Sequence, residues 1–268
     1  MRDLNHLSEI FHSYDTYVID LWGVMHNGIS LNPKAIEVVE KLRENLKKIV
    51  FLSNAPRPSS KVIEFLKRMK MDEKFLSKVI TSGEAAMHAI NQNKFGEKFY
   101  HLGPSRDQSL FEKVIKNKTS LDSCDFIICT GLFDEYEKDL DYYKDLLKDY
   151  TSKNFICTNP DLIVHRGNIE ELCAGAVAKT FEALGGKVIY YGKPYQEIYK
   201  MCFDQGEKVL AIGDNLRTDI KGANNLNIDS LFIYSGVHKN EIKNDEDLPA
   251  LLKRYNVKTN FFQKELKW

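Results

Sequence analysis

The sequence predicts an α/β protein, a doubly wound parallel sheet with a second α/β unit inserted into it. Three observations carry that expectation. Short apolar runs rich in β-branched and aromatic residues recur along the 268 residues, each closing on a polar residue or a glycine, as buried strands do. Helical patterns stand between the runs, the alternation that gives a parallel sheet covered on both faces. The same alternation then restarts on its own account in the middle hundred residues.

The first run is TYVID (16–20), followed by a helix that Asn32 caps with Pro33 at its first position. Ile36, Val39, Leu42 and Leu46 mark one face of that helix. KIVFLSN (48–54) and KVIT (78–81) read as the next strands, and Thr81 with Glu84 has capping-box spacing before the helix SGEAAMHAI. In the middle segment KFYHLG, DFIICTG and NFICTNP read as strands, with Leu110, Phe111, Val114 and Ile115 on a helix between them and Glu170 and Glu171 opening a later one. KVIYYG (187–192), KVLAIGD (208–214) and SLFIYS (230–235) then read as a return to the first sheet. The expected division is 1–82 and 187–268 for the core, with 83–186 inserted.

Composition narrows what such a fold does. With 43% apolar and 28% charged residues the chain can bury a substantial core. Lys plus Arg and Asp plus Glu both total 38, so no field of one sign draws it to nucleic acid or anionic lipid, and stretches such as KLRENLKK and KNDEDL read as solvated surfaces. Five cysteines, Cys124, Cys129, Cys157, Cys173 and Cys202, form no C-x-x-C pair, which argues against a disulfide framework or structural zinc. The N-terminus has no signal-like apolar stretch and no run is long enough to span a membrane, so the expected compartment is the cytosol.

Four strand ends carry a specific polar residue, at the edge where open α/β sheets collect ligands. Asp20 follows YVI, Ser53 follows VFL, Lys193 follows YYG, and Asp214 follows LAIG with Asp219 five residues on in GDNLRTD. Singly, each residue reads as a cap or turn former. Together they supply carboxylates for a hard divalent cation such as Mg²⁺, and a hydroxyl and an ammonium for a phosphoryl group. Arg57 and Arg217, just beyond these motifs, are further candidates to reach phosphate.

The order D-x-x-G-V, Ser-Asn, G-K-P, G-D-x-x-x-x-D closely resembles the haloacid dehalogenase superfamily. The insertion, with TNPD (158–161) inside it, resembles the large α/β cap of its subclass IIA, the NagD-like or nitrophenylphosphatase-like hydrolases. The resemblance implies a Mg²⁺-dependent phosphohydrolase acting on a small phosphorylated metabolite. It makes Asp20 the nucleophile that becomes an aspartyl-phosphate, has Ser53 and the Asn54 amide bind phosphoryl oxygens, and has Lys193 bridge Asp20 and phosphate. Asp214 would hold the metal beside Asp20 and the main-chain carbonyl of Trp22, with Asp219 in support. From the cap, Asn159, Asp161 and Arg166 would reach the substrate. Caps of this subclass often join subunits, so a homodimer is the expected assembly.

Trp22 departs from the pattern, because most phosphatases of this superfamily carry there an Asp that protonates the leaving oxygen. An indole N–H exchanges no proton near neutral pH. Three readings follow: a substrate with a good leaving group, a substitute donor for which His26 is best placed by sequence, or phosphate binding without turnover, including a phospho-switch. A working hydrolase with an activated leaving group is preferred, with the indole closing the site or stacking on a planar substrate group.

Overall fold

Seven parallel strands form the main sheet of the computed structural model, which describes residues 1–242 and 245–268. Lys243 and Asn244, which open the charged stretch KNDEDL, lie outside the described residues. In chain order the strands are β1 (Arg2–Asp3), β2 (Thr16–Ile19), β3 (Lys48–Ser53), β4 (Val79–Thr81), β5 (Phe99–Leu102), β6 (Phe126–Cys129), β7 (Asn154–Cys157), β8 (Ile163–Arg166), β9 (Ile169–Leu172), β10 (Val188–Tyr190), β11 (Val209–Gly213), β12 (Asp229–Ile233) and β13 (Phe261–Gln263). The main sheet runs β1-β13-β12-β11-β2-β3-β4, and a smaller parallel sheet runs β10-β7-β6-β5. β8 and β9 pair only with each other, as an antiparallel hairpin.

Alternation along the strands builds a core on each face of the main sheet. Tyr17 and Ile19 of β2 and Phe51 of β3 join Val38, Val39, Leu42 and Leu66 on one side. Val18, Val50 and Leu52 pack with Ile198 and Tyr199 on the other. The first side is covered by α1 (Pro33–Glu44) and α2 (Ser59–Arg68). The smaller sheet has α3 (Ser82–Ile90) against one face, and α4 (Leu140–Leu147) and α5 (Ala174–Ala183) against the other. Among the described residues no helix is long and apolar enough to cross a membrane.

Local signals hold where side chains act on their own backbone. Asn32 accepts from the Lys34 N–H at 3.2 Å with Pro33 at the first helical position, and Thr81 Oγ1 accepts from the Glu84 N–H at 3.3 Å. Other expectations are corrected. Leu46 lies past the end of α1 at φ 57° and is 94% exposed, so Ala35 and Val38 complete the buried face instead. Residues 105–117 form short 3₁₀ turns rather than one helix, with Val114 in a non-helical conformation between them. Glu170 and Glu171 lie in β9, because Gly167 at φ 62° turns the chain back before α5 opens at Ala174. KVIYYG gives β10, whose Val188, Ile189 and Tyr190 pair with Phe155, Ile156 and Cys157 of the smaller sheet. The return to the main sheet therefore falls after Tyr190, not at 186.

Candidate active site

β2 is where the winding reverses: β3 and β4 follow on one side, and β11, β12 and β13 on the other. A sheet opens a crevice at such a point. The three central strands deliver their terminal residues side by side. Asp20 leaves β2 with its N–H bonded to the Ile212 carbonyl at 2.9 Å, Ser53 ends β3, and Asp214 follows β11. All three are buried.

Lys193 reaches this edge from the loop after β10. Its Nζ pairs with Asp20 Oδ1 and, at 2.7 Å, with Asp219 Oδ1. Its main chain is held by one side chain: the Lys193 N–H donates to Asn54 Oδ1 at 2.8 Å, and Asn54 Nδ2 donates to the Lys193 carbonyl at 3.2 Å. Ser53 Oγ accepts from the Ala55 N–H at 3.2 Å, shaping the turn between the two.

Asp20, Asp214 and Asp219 each offer a carboxylate oxygen, and these atoms all lie within 4.8 Å of one another. Burial opposes charge at this cluster. It pushes Asp20 above the usual carboxylate range against the pull of Lys193, and the charge of Asp219 raises it further. Asp214 is raised well above that range by burial and then by the charges of Asp20 and Asp219. Burial disfavours the Lys193 ammonium, but Asp20, Asp219 and Asp161 outweigh it and keep the group charged. One ammonium does not balance these carboxylates, and an all-oxygen donor set with excess negative charge fits a hard divalent cation.

Two glycines make the cluster possible: Gly23, the glycine of D-x-x-G-V, and Gly236, which sequence reasoning passed over. A Cβ on Gly23, at φ 92°, would stand 2.0 Å from Asp214 Oδ2, and one on Gly236 would stand 1.9 Å from the same atom. Beside them the Val237 N–H donates to Asp214 Oδ2 at 2.6 Å. Gly236 carried a usable signal, a glycine at the carboxyl end of a strand. Asn215 was also missed: its Nδ2 donates to Asp161 Oδ1 at 3.1 Å, and its N–H to Asp219 Oδ2 at 3.1 Å.

The smaller unit roofs a cavity of about 1000 Å³ over this edge, lined among others by Asn159, Asp161, His165, Arg166, Glu170 and Lys193. Asn159 Oδ1 takes the Asp161 N–H at 3.1 Å, and burial pushes Asp161 up to about 6. Arg166 Nε pairs with Glu171 at 2.8 Å. Arg57 also lines the cavity but is paired with the buried Asp107 of the smaller unit at 2.6 Å. Arg217 does not join the site. It stacks on Tyr255, 4.6 Å from the ring centroid, and lines a separate pocket.

His26 lines the cavity, but its surroundings disfavour the protonated form that a donor needs. It is 4% exposed, its Nδ1 accepts from the Gly28 N–H at 3.1 Å, and its ring packs edge-on against Trp22 and Phe65. Burial lowers it to about 4, so at neutral pH it holds no extra proton to give. The unfolded chain protonates this imidazole near 6.5 and the folded chain only near 4, so the unfolded state binds more protons in that window. Stability tied to His26 is therefore lost as pH falls through it, by about 2 kcal/mol at pH 5. His26→Asn should lose about that much less between pH 7 and pH 5 in urea unfolding than the parent; equal losses would refute the assignment.

Comparison with known proteins agrees with this geometry. A haloacid dehalogenase-like hydrolase family model matches residues 17–114 and a second HAD-hydrolase-like model matches 190–254. A 5'-nucleotidase of Bacillus subtilis is 25% identical over 247 residues, covering 87% of this chain and 92% of its own. An acid sugar phosphatase of Staphylococcus aureus is 27% identical over 250 residues, covering 88% and 92%. Among solved structures, a haloacid dehalogenase-like hydrolase from Brucella suis superposes with a TM-score of 0.86 at 27% identity, covering 99% of this chain and 100% of the other.

Proposed function

The chain belongs to the haloacid dehalogenase-like hydrolases, and from that premise we propose that it is a Mg²⁺-dependent phosphatase of small phosphorylated metabolites working through an aspartyl-phosphate on Asp20. The meeting of Asp20, Asp214 and Asp219 oxygens within 4.8 Å, with Lys193 on two of them, supports this reading most. The names of the two curated relatives, a nucleotidase and a sugar phosphatase, favour phosphate monoesters.

Asp20, Asp214, Asp219 and the Trp22 carbonyl would hold Mg²⁺, which when bound neutralises charge on the phosphoryl oxygens. Lys193 adds its own charge beside Asp20 and Asp219, while Ser53 and the Asn54 N–H would orient the phosphoryl group. An Asp20 oxygen bonds to phosphorus as the bond to the leaving oxygen breaks. Water then attacks phosphorus and the bond to Asp20 breaks, restoring the carboxylate. The smaller unit acts as the cap, with Asn159, Asp161 and Arg166 facing the substrate and the roof excluding bulk water.

Neither Trp22 nor the neutral, buried His26 protonates a leaving oxygen, which favours substrates that leave as stable anions. Hydrolysis of aryl phosphates of graded phenol pKa tests this. With Mg²⁺, kcat should fall steeply as the phenol becomes less acidic, and chelation with EDTA should remove turnover. A flat dependence on phenol pKa would overturn the leaving-group reading, and full activity in EDTA would overturn the metal.

A further inference from the structure

Trp22 stands two residues after the nucleophile, yet its contacts lead away from the carboxylates. Its Nε1–H donates to the main-chain carbonyl of His165 in β8 at 2.9 Å. The Arg166 guanidinium lies over the indole, 5.5 Å from the ring centroid. A Cβ on Gly28 would come within 2.5 Å of Trp22 Cζ2, so the ring is packed down on its own loop. Two main-chain links sit beside these contacts: the Gly167 N–H donates to the Asn27 carbonyl at 3.0 Å, and Lys239 Nζ donates to the Gly167 carbonyl at 3.1 Å.

Among the described residues the β8–β9 hairpin joins neither sheet and is held by Leu172 packing at its base and by contacts to the core near its turn; a lone two-stranded hairpin is at best marginally stable in water. Its residues Ile163, His165, Ile169 and Glu170 line the same cavity as Trp22. What holds the hairpin therefore sets the shape of that wall.

We propose that Trp22 is a specificity-determining positioning residue, a latch on the core that fixes the β8–β9 hairpin and with it the leaving-group end of the cavity. The proposal rests on the phosphatase reading for what the cavity holds, but the latch itself does not. A proton donor has been exchanged for a fixed seat of the cap. Arg166 covers one face of the indole, so stacking on a planar substrate group would have to use the other face.

Hydrogen exchange on the intact protein without substrate tests the latch. In Trp22→Ala the Gly167 amide should exchange about tenfold faster, the scale of one lost hydrogen bond and cation–π contact. The amides of Ile128 and Ile156 in the smaller sheet should keep their parental rates. Trp22→Phe, which keeps a ring under Arg166 but lacks the N–H, should fall between. Unchanged Gly167 exchange in Trp22→Ala overturns the proposal. If Trp22→Ala loses protection throughout, Trp22→Phe decides alone: faster exchange confined to 163–172 supports the latch, and none overturns it. In steady-state assays of Trp22→Phe the KM for 1-naphthyl phosphate, a larger aryl ester, should rise about tenfold relative to that for p-nitrophenyl phosphate. Faster hairpin exchange with an unchanged KM ratio overturns the specificity role. Absence of turnover in the parent instead removes the phosphatase reading and leaves the exchange result to stand by itself.

Discussion

Asp20→Asn is expected to abolish turnover of p-nitrophenyl phosphate, by about 10⁴-fold or more, the scale on which loss of a covalent nucleophile acts. The amide is close to isosteric, so it keeps the buried position beside Lys193 and removes mainly the charge and nucleophilicity of the group. Acid quenching during turnover of the parent should trap a phosphoryl group on protein that hydroxylamine releases, and the variant should carry none. A variant with parental activity would place the nucleophile elsewhere. A parental acyl-phosphate that persists for hours would replace the enzyme by a phospho-switch, the alternative that the same residue types leave open.

Lys193→Met is expected to damage both stability and activity. The lysine is 2% exposed and is the ammonium between Asp20 and Asp219. Methionine fills much of its volume but leaves the carboxylates buried without that partner. Breaking a buried pair in this way costs about 3–5 kcal/mol, which urea unfolding in EDTA would measure. Added Mg²⁺ should recover part of the loss, because a divalent ion answers the same excess of negative charge. kcat should stay depressed by about 10²–10³ even with Mg²⁺, since the ammonium that stabilises the phosphoryl transition state is gone. A variant as stable as the parent in EDTA would show that Lys193 does not balance this cluster.

The parts of the site that were legible in the sequence are those in which a residue's place along its own strand decides its role. Asp20, Ser53 and Asp214 each close an apolar run, and a parallel sheet brings such ends to one edge, so their meeting follows from the alternation. Roles decided by a distant partner were not legible. Trp22 bonds a carbonyl 143 positions away, and Asn54 turned out to use its side chain on the Lys193 backbone in addition to any part its N–H plays. The fold shows the same division. KVIYYG has the composition of a buried strand whichever sheet it joins, and nothing local states that its neighbour is β7. β13 was not legible because its two phenylalanines stand between the polar stretches KTN and QKE, which leaves no apolar run to announce it.

The Asn54 side chain has one more consequence. Because it grips both main-chain polar groups of Lys193, the loop after β10 is fastened to the main-sheet floor of the site and not to its roof. Any rocking of the roof must be absorbed upstream, between Tyr190 and Lys193, where Gly192 at φ 115° lies close against Asn54. If the roof does rock, the ammonium would keep its alignment with Asp20, so admission of a substrate and readiness of the reacting groups would be separable events.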